Sequence, residues 1–146
     1  MYLADTNILL RSIHTGHPNQ PVAVGAINTL LQHHRVCYTM QNIAEFWTVC
    51  TRPMAKNGFG MTAQQVRREI DQIEETLFLL PDDPAVYPTW KDLVTRYEVK
   101  GVKVHDAKLV ATMLVHGVTS LLTFDVGDFK RYSEIEIVNP ASTQKK

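Results

Sequence analysis

Four acidic side chains stand where short apolar runs end or where amphipathic segments begin. Asp5 and Asp125 each follow an apolar run, whereas Glu45 and Asp106 stand near the start of helix-like segments. Carboxylates within a few ångströms of each other repel, so such a cluster keeps its charges only with a cation between its members. Oxygen ligands suit hard cations such as Mg²⁺ or Mn²⁺. If the fold brings these residues together, the pattern predicts a hard-cation site.

A divalent cation in such a site favours hydrolysis of phosphate esters, because it lowers the pKa of a bound water and offsets developing negative charge. Each acid also has an ordinary structural interpretation. Asp5 can cap a turn, Glu45 and Asp106 can favour a helix dipole, and Asp125 and Asp128 can form a polar turn. The spacing alone leaves both interpretations open.

Short apolar runs alternate with longer amphipathic segments along the chain. The short runs predict strands, and they cover residues 2–4, 36–39, 77–80, 119–123 and 135–138. The amphipathic segments predict helices, and they cover residues 21–34, 42–51, 62–76, 84–97 and 106–116. Thr62 and Gln65 have the spacing of a capping box. This alternation predicts an α/β fold whose parallel sheet is covered on both faces, with ligands bound at the carboxyl ends of its strands.

The composition is that of one globular domain without a dominant charge. The chain has 146 residues, 45% of them hydrophobic, and its 15 Lys and Arg balance its 15 Asp and Glu. A polyanionic partner would therefore need a local basic face or a bound cation. Cys37 and Cys50 lie in apolar stretches and are expected to be buried thiols. We expect one domain over residues 1–139 and a flexible polar tail over 140–146.

We expect a soluble cytoplasmic protein, because the sequence contains no recognisable targeting signal. The opening residues lack the basic and long apolar regions of a signal peptide. No apolar run approaches the roughly 18 residues of a membrane span. We therefore expect no membrane association and a reducing compartment.

The acidic positions and their neighbours form a recognisable set. The motifs are Asp5-Thr6-Asn7, Glu45 within Ala-Glu-Phe, His105-Asp106-Ala107, Thr123-Phe124-Asp125 and Asp128-Phe129. In order and spacing, from Tyr2 to about Val138, they resemble those of PIN-domain nucleases, and most of all the VapC-type toxins of bacterial toxin–antitoxin modules. This resemblance implies a three-layer α/β/α sandwich with a central parallel sheet.

The resemblance also implies a metal-dependent endoribonuclease that hydrolyses RNA phosphodiester bonds. Asp5, Glu45, Asp106 and Asp125 match the catalytic acids that would bind Mg²⁺ or Mn²⁺. Three further positions match polar residues that orient or accompany these acids, and they are Asn7, Thr123 and Asp128. Proteins of this type are commonly homodimers, and a small antitoxin blocks the site with a peptide that carries Arg or Lys.

Substrate contacts are expected from basic side chains close to the acids in sequence. These candidates are Arg11, Arg52, Lys103, Lys108 and Lys130. Contacts to phosphates would give affinity with little sequence choice. Trp47 falls on the apolar stripe of its segment, so we expect it in the core rather than against a base.

Three other functions compete with an RNase toxin. A housekeeping PIN-type nuclease for RNA processing would share every motif. A Mg²⁺-dependent phosphatase of the haloacid-dehalogenase type also begins with an Asp after its first strand, but it requires a second Asp where this chain has Asn7. A non-catalytic RNA-binding domain is disfavoured because four unneutralised acids would repel RNA.

Overall fold

The structure is a computed structural model that describes residues 1–144. Five short strands form one sheet in the order β3-β2-β1-β4-β5, and every neighbouring pair is parallel. The strands are β1 (Tyr2–Ala4), β2 (Val36–Thr39), β3 (Phe78–Leu80), β4 (Ser120–Leu122) and β5 (Glu136–Val138). The predicted parallel sheet is therefore confirmed.

Helices connect the strands on both faces of the sheet. The α-helices are α1 (Thr6–Ser12), α2 (Gln20–Leu31), α3 (Met40–Thr51), α4 (Ala63–Thr76), α5 (Val86–Arg96), α6 (Val104–Val115) and α7 (Val126–Phe129). Short 3₁₀ turns cover Met54–Lys56, Gly101–Lys103 and Pro140–Gln144. Helices α1 and α7 were not expected from the sequence, because they span 7 and 4 residues and are too short to show an amphipathic period.

Two apolar cores lie on opposite faces of the sheet. Because side chains alternate along a strand, Ala4 faces the core formed with α1 to α4, whereas Leu3 faces the core formed with α5, α6 and α7. Leu122 and Leu121 of the neighbouring β4 divide between the two cores in the same way. These two cores and the sheet between them make the three-layer α/β/α sandwich that the sequence predicts.

The strand order places a crevice at the carboxyl end of β1. From β1 the chain proceeds outward through β2 to β3, and it then returns to the other side of β1 to form β4 and β5. The connections therefore diverge on the two sides of β1, which is the topological switch point where open α/β sheets bind ligands. The segments that follow β1, β2 and β4 meet at this edge.

Two caps fix the starts of helices α3 and α4. The predicted capping box of Thr62 and Gln65 is present at the start of α4. A second capping box, formed by Thr39 and Asn42, starts α3 at Met40, two residues before the predicted start. Asn42 is completely buried, so this cap also fixes α3 against the neighbouring elements.

The expected burial of Trp47 is wrong. Its side chain is 38% exposed, whereas that of Phe46 is 0% exposed. Successive residues point about 100° apart around a helix, so the core face of α3 takes Phe46 and turns its neighbour outward. Cys37 and Cys50 are both buried free thiols, as expected.

The end of the described chain contacts the helical layer. Over Pro140–Gln144, where a flexible tail was expected, a 3₁₀ turn contacts α2, and Pro140 is buried. Residues 145 and 146, the rest of that expectation, lie outside the described residues. Within residues 1–144, no helix combines the length and the apolar character needed to cross a membrane.

Candidate active site

Asp5 is the innermost of the acidic residues at the carboxyl edge of the sheet. It follows β1 and caps α1 by accepting a hydrogen bond from the Thr6 backbone N–H at 2.8 Å. The other carboxylate oxygen accepts from the Thr123 hydroxyl at 2.8 Å and from the Asn7 amide at 3.3 Å. Asp5 is therefore fixed by groups from the segments that follow β1 and β4.

Asn7 links Asp5 to the segment that follows β4. Its Nδ2 group lies 3.0 Å from Asp125 Oδ2 and 3.2 Å from Thr123 Oγ1, and its Oδ1 atom accepts from the Phe124 backbone N–H at 3.3 Å. The Thr123 hydroxyl also accepts from the Asp125 backbone N–H at 3.0 Å. One amide thus orients two of the candidate carboxylates.

Glu45 reaches the same edge from α3. Its Oε2 atom accepts a hydrogen bond from the Thr6 hydroxyl at 3.3 Å, and Thr6 Oγ1 accepts in turn from the Asn42 amide at 3.1 Å. Thr6 and Asn42 are both buried, so a short polar chain connects the start of α3 to the exposed Glu45 carboxylate.

Asp106 lies in the first turn of α6 and faces the ammonium group of Lys103. The Lys103 Nζ atom lies 3.8 Å from Asp106 Oδ2 and 3.0 Å from Asp128 Oδ1. Asp128 belongs to α7, the same turn that Asp125 precedes. Asp128 therefore pairs with Lys103, whereas Asp125 accepts a hydrogen bond from the Asn7 amide.

The carboxylates of the cluster are close enough together to raise the pKa of Asp5 and of Asp106. Burial raises the pKa of the Asp5 carboxyl to about 6, the carboxylates of Glu45 and Asp106 add to this rise, and the hydrogen bonds from Thr123 and Thr6 oppose it. Burial likewise raises the pKa of Asp106, and Asp128, Glu45 and Asp125 add to that rise against the effect of Lys103. The negative charges therefore converge at this edge.

The donor chemistry of the cluster fits a hard divalent cation. Within residues 1–144, no three His, Cys, Asp or Glu side chains form a ready-made ion-binding group. The candidate ligands are all carboxylate oxygens. Burial, with a smaller effect of the neighbouring carboxylates, raises the pKa of Asp5 and of Asp106, and a bound cation would favour their charged forms. Magnesium usually keeps several waters and takes one or two protein carboxylates, so it does not require three protein ligands in contact.

Two adjoining cavities open beside the cluster. One, of about 520 Å³, is lined by Gln41, Glu45, His105 and Lys108 among others. The other, of about 550 Å³, shares His105 and Lys108 and extends to Tyr87 and Trp90. They form a groove from Glu45 along the start of α6 towards α5.

The structure brings some of the expected basic residues to this edge and not others. Lys103 contacts the acids, and Lys108 lines the groove. Lys130 is exposed at the end of α7, and Arg11, in the last turn of α1, contacts His14 beyond the end of that helix. Arg52 follows the last residue of α3, about 18 Å along the helix from the edge where α3 begins, so it does not join the acids.

The parts that Asn42 and the Thr6 hydroxyl take in the site were not expected from the sequence. The spacing of Thr39 and Asn42 is a capping signal at the end of a predicted strand, and it could have indicated a fixed polar group there. Gln41 was also missed. Its Nε2 group donates to the His105 carbonyl oxygen at 2.8 Å, and its Oε1 atom is buried without a hydrogen-bond partner among the described residues.

The chain matches one protein family, and the solved structures that resemble it share a single fold. The family model of the PIN domain matches residues 2–135. A search of curated proteins found no match to the chain.

Solved structures with the same fold come from toxin–antitoxin systems. VapBC2 from Rickettsia felis, bound to a promoter DNA fragment, matches with a TM-score of 0.73 at 16% identity, over 94% of this chain and 97% of that one. FitAcB from Neisseria gonorrhoeae matches with a TM-score of 0.66 at 18% identity, over 96% and 98%. VapC20 from Mycobacterium tuberculosis, a toxin that cleaves the sarcin–ricin loop, matches with a TM-score of 0.64 at 17% identity, over 93% and 99%.

Proposed function

Because the chain belongs to the PIN-domain family, we propose that it is a metal-dependent endoribonuclease and the toxin of a toxin–antitoxin pair. The observation that carries this proposal is the convergence of acidic side chains from four chain segments at the switch point of the sheet. The solved toxins and complexes that share the fold support it, since VapC20 from Mycobacterium tuberculosis is a toxin that cleaves the sarcin–ricin loop.

Asp5, Asp106 and Asp125, together with Glu45, are the residues that would hold Mg²⁺ or Mn²⁺. When bound there, the ion would supply a Lewis acid for the phosphate and a water of lowered pKa. Asn7 and Thr123 keep the Asp5 and Asp125 carboxylates in place, and Thr6 orients Glu45. Hydrolysis by water, rather than attack by the ribose 2′-hydroxyl, gives products with a 5′-phosphate and a 3′-hydroxyl.

The contacts of Asn7 disfavour the phosphatase alternative. That chemistry needs a carboxylic acid at this position to donate a proton. Here the side chain is an amide, and its N–H groups are directed to Asp5, Thr123 and Asp125. An amide in that place orients carboxylates but cannot serve as a general acid.

The same site suggests how an antitoxin would inhibit the enzyme in the cytoplasm. An antitoxin segment with Arg or Lys would meet the acids, and its neighbouring residues would occupy the groove past His105 and Tyr87. Met40 and Trp47 on α3 are exposed apolar residues of the kind that protein interfaces cover, in this case by the antitoxin or by a second copy in a homodimer. An RNA-processing role would instead require no dedicated inhibitor.

The test is cleavage of a structured RNA by the purified protein with Mg²⁺ or Mn²⁺. Cleavage should stop on addition of EDTA, and Asp5→Asn or Asp106→Asn should reduce its rate by about 100-fold or more. Asp71→Asn, an identical change at an exposed position on α4, should retain full activity. Cleavage that persists in EDTA would contradict metal dependence, and 2′,3′-cyclic phosphate ends would contradict hydrolysis by water.

The toxin role has its own test in cells. Expression should arrest growth, and the Asp5→Asn protein should not. Co-expression with a small upstream reading frame should restore growth and yield a co-purifying complex. Growth at the normal rate with a cleavage-competent protein would instead favour RNA processing.

A further inference from the structure

A basic depression adjoins the acidic cluster at Lys103. It has a volume of about 520 Å³ and is lined by Tyr97, Glu98, Lys100, Lys103 and Arg131. Three of these side chains are cationic and one is anionic. Lys103 belongs both to the depression and to the cluster, since its ammonium group contacts Asp106 and Asp128.

The other two cations of the depression have no ion-pair partner among the described residues, 1–144. Lys100 and Arg131 are exposed, and neither forms a salt bridge or a side-chain hydrogen bond within residues 1–144. Nearby Arg96 shows the opposite behaviour, because its guanidinium pairs with Asp92 and Glu134, each at 2.8 Å. In a chain with equal numbers of acidic and basic residues, unpaired cations around one cavity favour an anionic ligand.

The backbone gathers these cations from two separate segments. The turn between α5 and α6 has two residues with positive φ, Glu98 at 49° and Gly101 at 61°, and it brings Lys100 and Lys103 to the same cavity. Arg131 follows the end of α7, the helix that carries Asp128. The two segments meet where the Asp128 carboxylate holds the Lys103 ammonium at 3.0 Å.

We propose that this depression binds a backbone phosphate of the RNA strand next to the scissile bond, and that Asp128 positions Lys103 for that contact. Arg131 can present two parallel N–H groups to a phosphate, and Lys100 adds a point charge. Lys103 has three donors, so it can keep its contact with Asp128 and still donate to a phosphate oxygen. The inference rests on the proposed function, because it assigns the strand path at that same site.

The first experiment measures how salt weakens the binding of a labelled single-stranded RNA to the full chain. The Asp5→Asn background prevents cleavage during the titration. Each lost phosphate contact on a single strand should lower the slope of log K against log[salt] by about 0.7. Lys100→Gln and Arg131→Gln should therefore each lower the slope by about that amount, and together by about twice as much.

Lys56→Gln is the matched control. Lys56 lies beyond the end of α3 and away from the edge that carries the acids. Its substitution by Gln removes one positive charge, as Lys100→Gln and Arg131→Gln do. It should leave the slope unchanged. Equal slopes for Lys100→Gln, Arg131→Gln and Lys56→Gln would overturn the phosphate site.

The second experiment separates a positioning role of Asp128 from metal binding. Loss of a negative charge should by itself strengthen the binding of a polyanion, so a weaker RNA affinity of Asp128→Asn would show that the residue acts through Lys103. Combination with Lys103→Gln should add no further loss. Calorimetric titration with Mn²⁺ should give Asp128→Asn an affinity close to that of the unaltered chain. A loss of about tenfold or more in Mn²⁺ affinity, or a gain in RNA affinity, would overturn the assignment.

The two hypotheses fail in different ways. An unaltered chain that cuts RNA, combined with unchanged salt slopes in the depression variants, would leave the nuclease proposal standing and remove this one. If the unaltered chain cuts no RNA but the depression variants show the expected slopes, the nuclease proposal is removed and the depression remains a phosphate-binding site without a scissile bond beside it.

Discussion

At the residue scale, Asp5 combines burial with neighbouring negative charge. Its carboxylate accepts three hydrogen bonds, and these oppose the effect of burial on its pKa but do not cancel it. A carboxyl whose pKa is raised in the folded state stabilises the fold most when it is protonated. That contribution is complete below the pKa of the unfolded chain and is lost as the pH rises through about 6.

The Asp5→Asn variant should remove this pH dependence when divalent cations are absent. Relative to the variant, the unaltered protein should lose on the order of 1 kcal/mol of unfolding free energy between pH 5 and pH 8. Urea denaturation in EDTA at both pH values measures the difference, and the other titrating groups are common to both proteins. Asp71→Asn should show no such change relative to the unaltered chain, and a constant gap between Asp5→Asn and the unaltered chain would contradict the raised pKa.

The sequence predicted the residue types of the site better than their roles. Asp5 and Asp125 followed recognisable strands, so their meeting at one edge could be expected from a parallel sheet. The contact of Asp128 with Lys103 could not, because it depends on the turn before α6 and on the rotamers of two exposed side chains. Lys100 also gave no signal, since an isolated surface lysine carries no spacing pattern.

At the scale of elements, α3 connects the capping of a helix to the orientation of a candidate catalytic group. Asn42 Oδ1 accepts from the backbone N–H and the hydroxyl of Thr39, and its amide supports Thr6, which contacts Glu45. Thr62 caps α4 with the same geometry, but at an exposed position. The two caps thus differ in two respects. The cap of α3 is buried and connects through Thr6 to Glu45, whereas the cap of α4 is exposed and forms its hydrogen bonds within its own helix start.

Asn42→Ala should therefore cost more than Thr62→Ala and should also impair RNA cleavage. We expect a loss of about 2–3 kcal/mol from Asn42→Ala, because buried partners lose their hydrogen bonds, and about 1 kcal/mol from Thr62→Ala. Urea denaturation gives the free energies, and initial rates give the cleavage activity. Equal activity of the two variants would show that the chain from Asn42 to Glu45 does not orient the carboxylate.

Element boundaries were predictable where the periodic pattern was long. Helices α4, α5 and α6 lie within about two residues of the expected bounds, which is the usual uncertainty of helix ends. Helix α1 escaped prediction because it follows β1 after a single residue, which left no loop signal between them. The outward position of Trp47 depends on which of two adjacent aromatic residues the core accepts, and a periodic pattern cannot decide that.

At the scale of the whole molecule, a bound cation should stabilise the fold. A ligand that binds only the folded state at 100 times its dissociation constant contributes about 2.7 kcal/mol. For a chain of this size that corresponds to a rise in Tm of roughly 5–10 °C. Thermal unfolding with increasing Mn²⁺ should show the rise in the unaltered chain and in Asp71→Asn, and Asp5→Asn should show a much smaller one. A Tm that does not respond to Mn²⁺ or Mg²⁺ would contradict a metal site at the acids.

The placement of β1 in the middle of the sheet has a consequence for biosynthesis. Strand β1 is flanked on one side by β4, which the ribosome adds long after β1. Thr123, which donates to Asp5, and Asp125, which accepts from Asn7, both follow β4. Under the proposed function, we expect a growing chain or a fragment that ends before β4 to lack the acidic pocket and to leave RNA uncut.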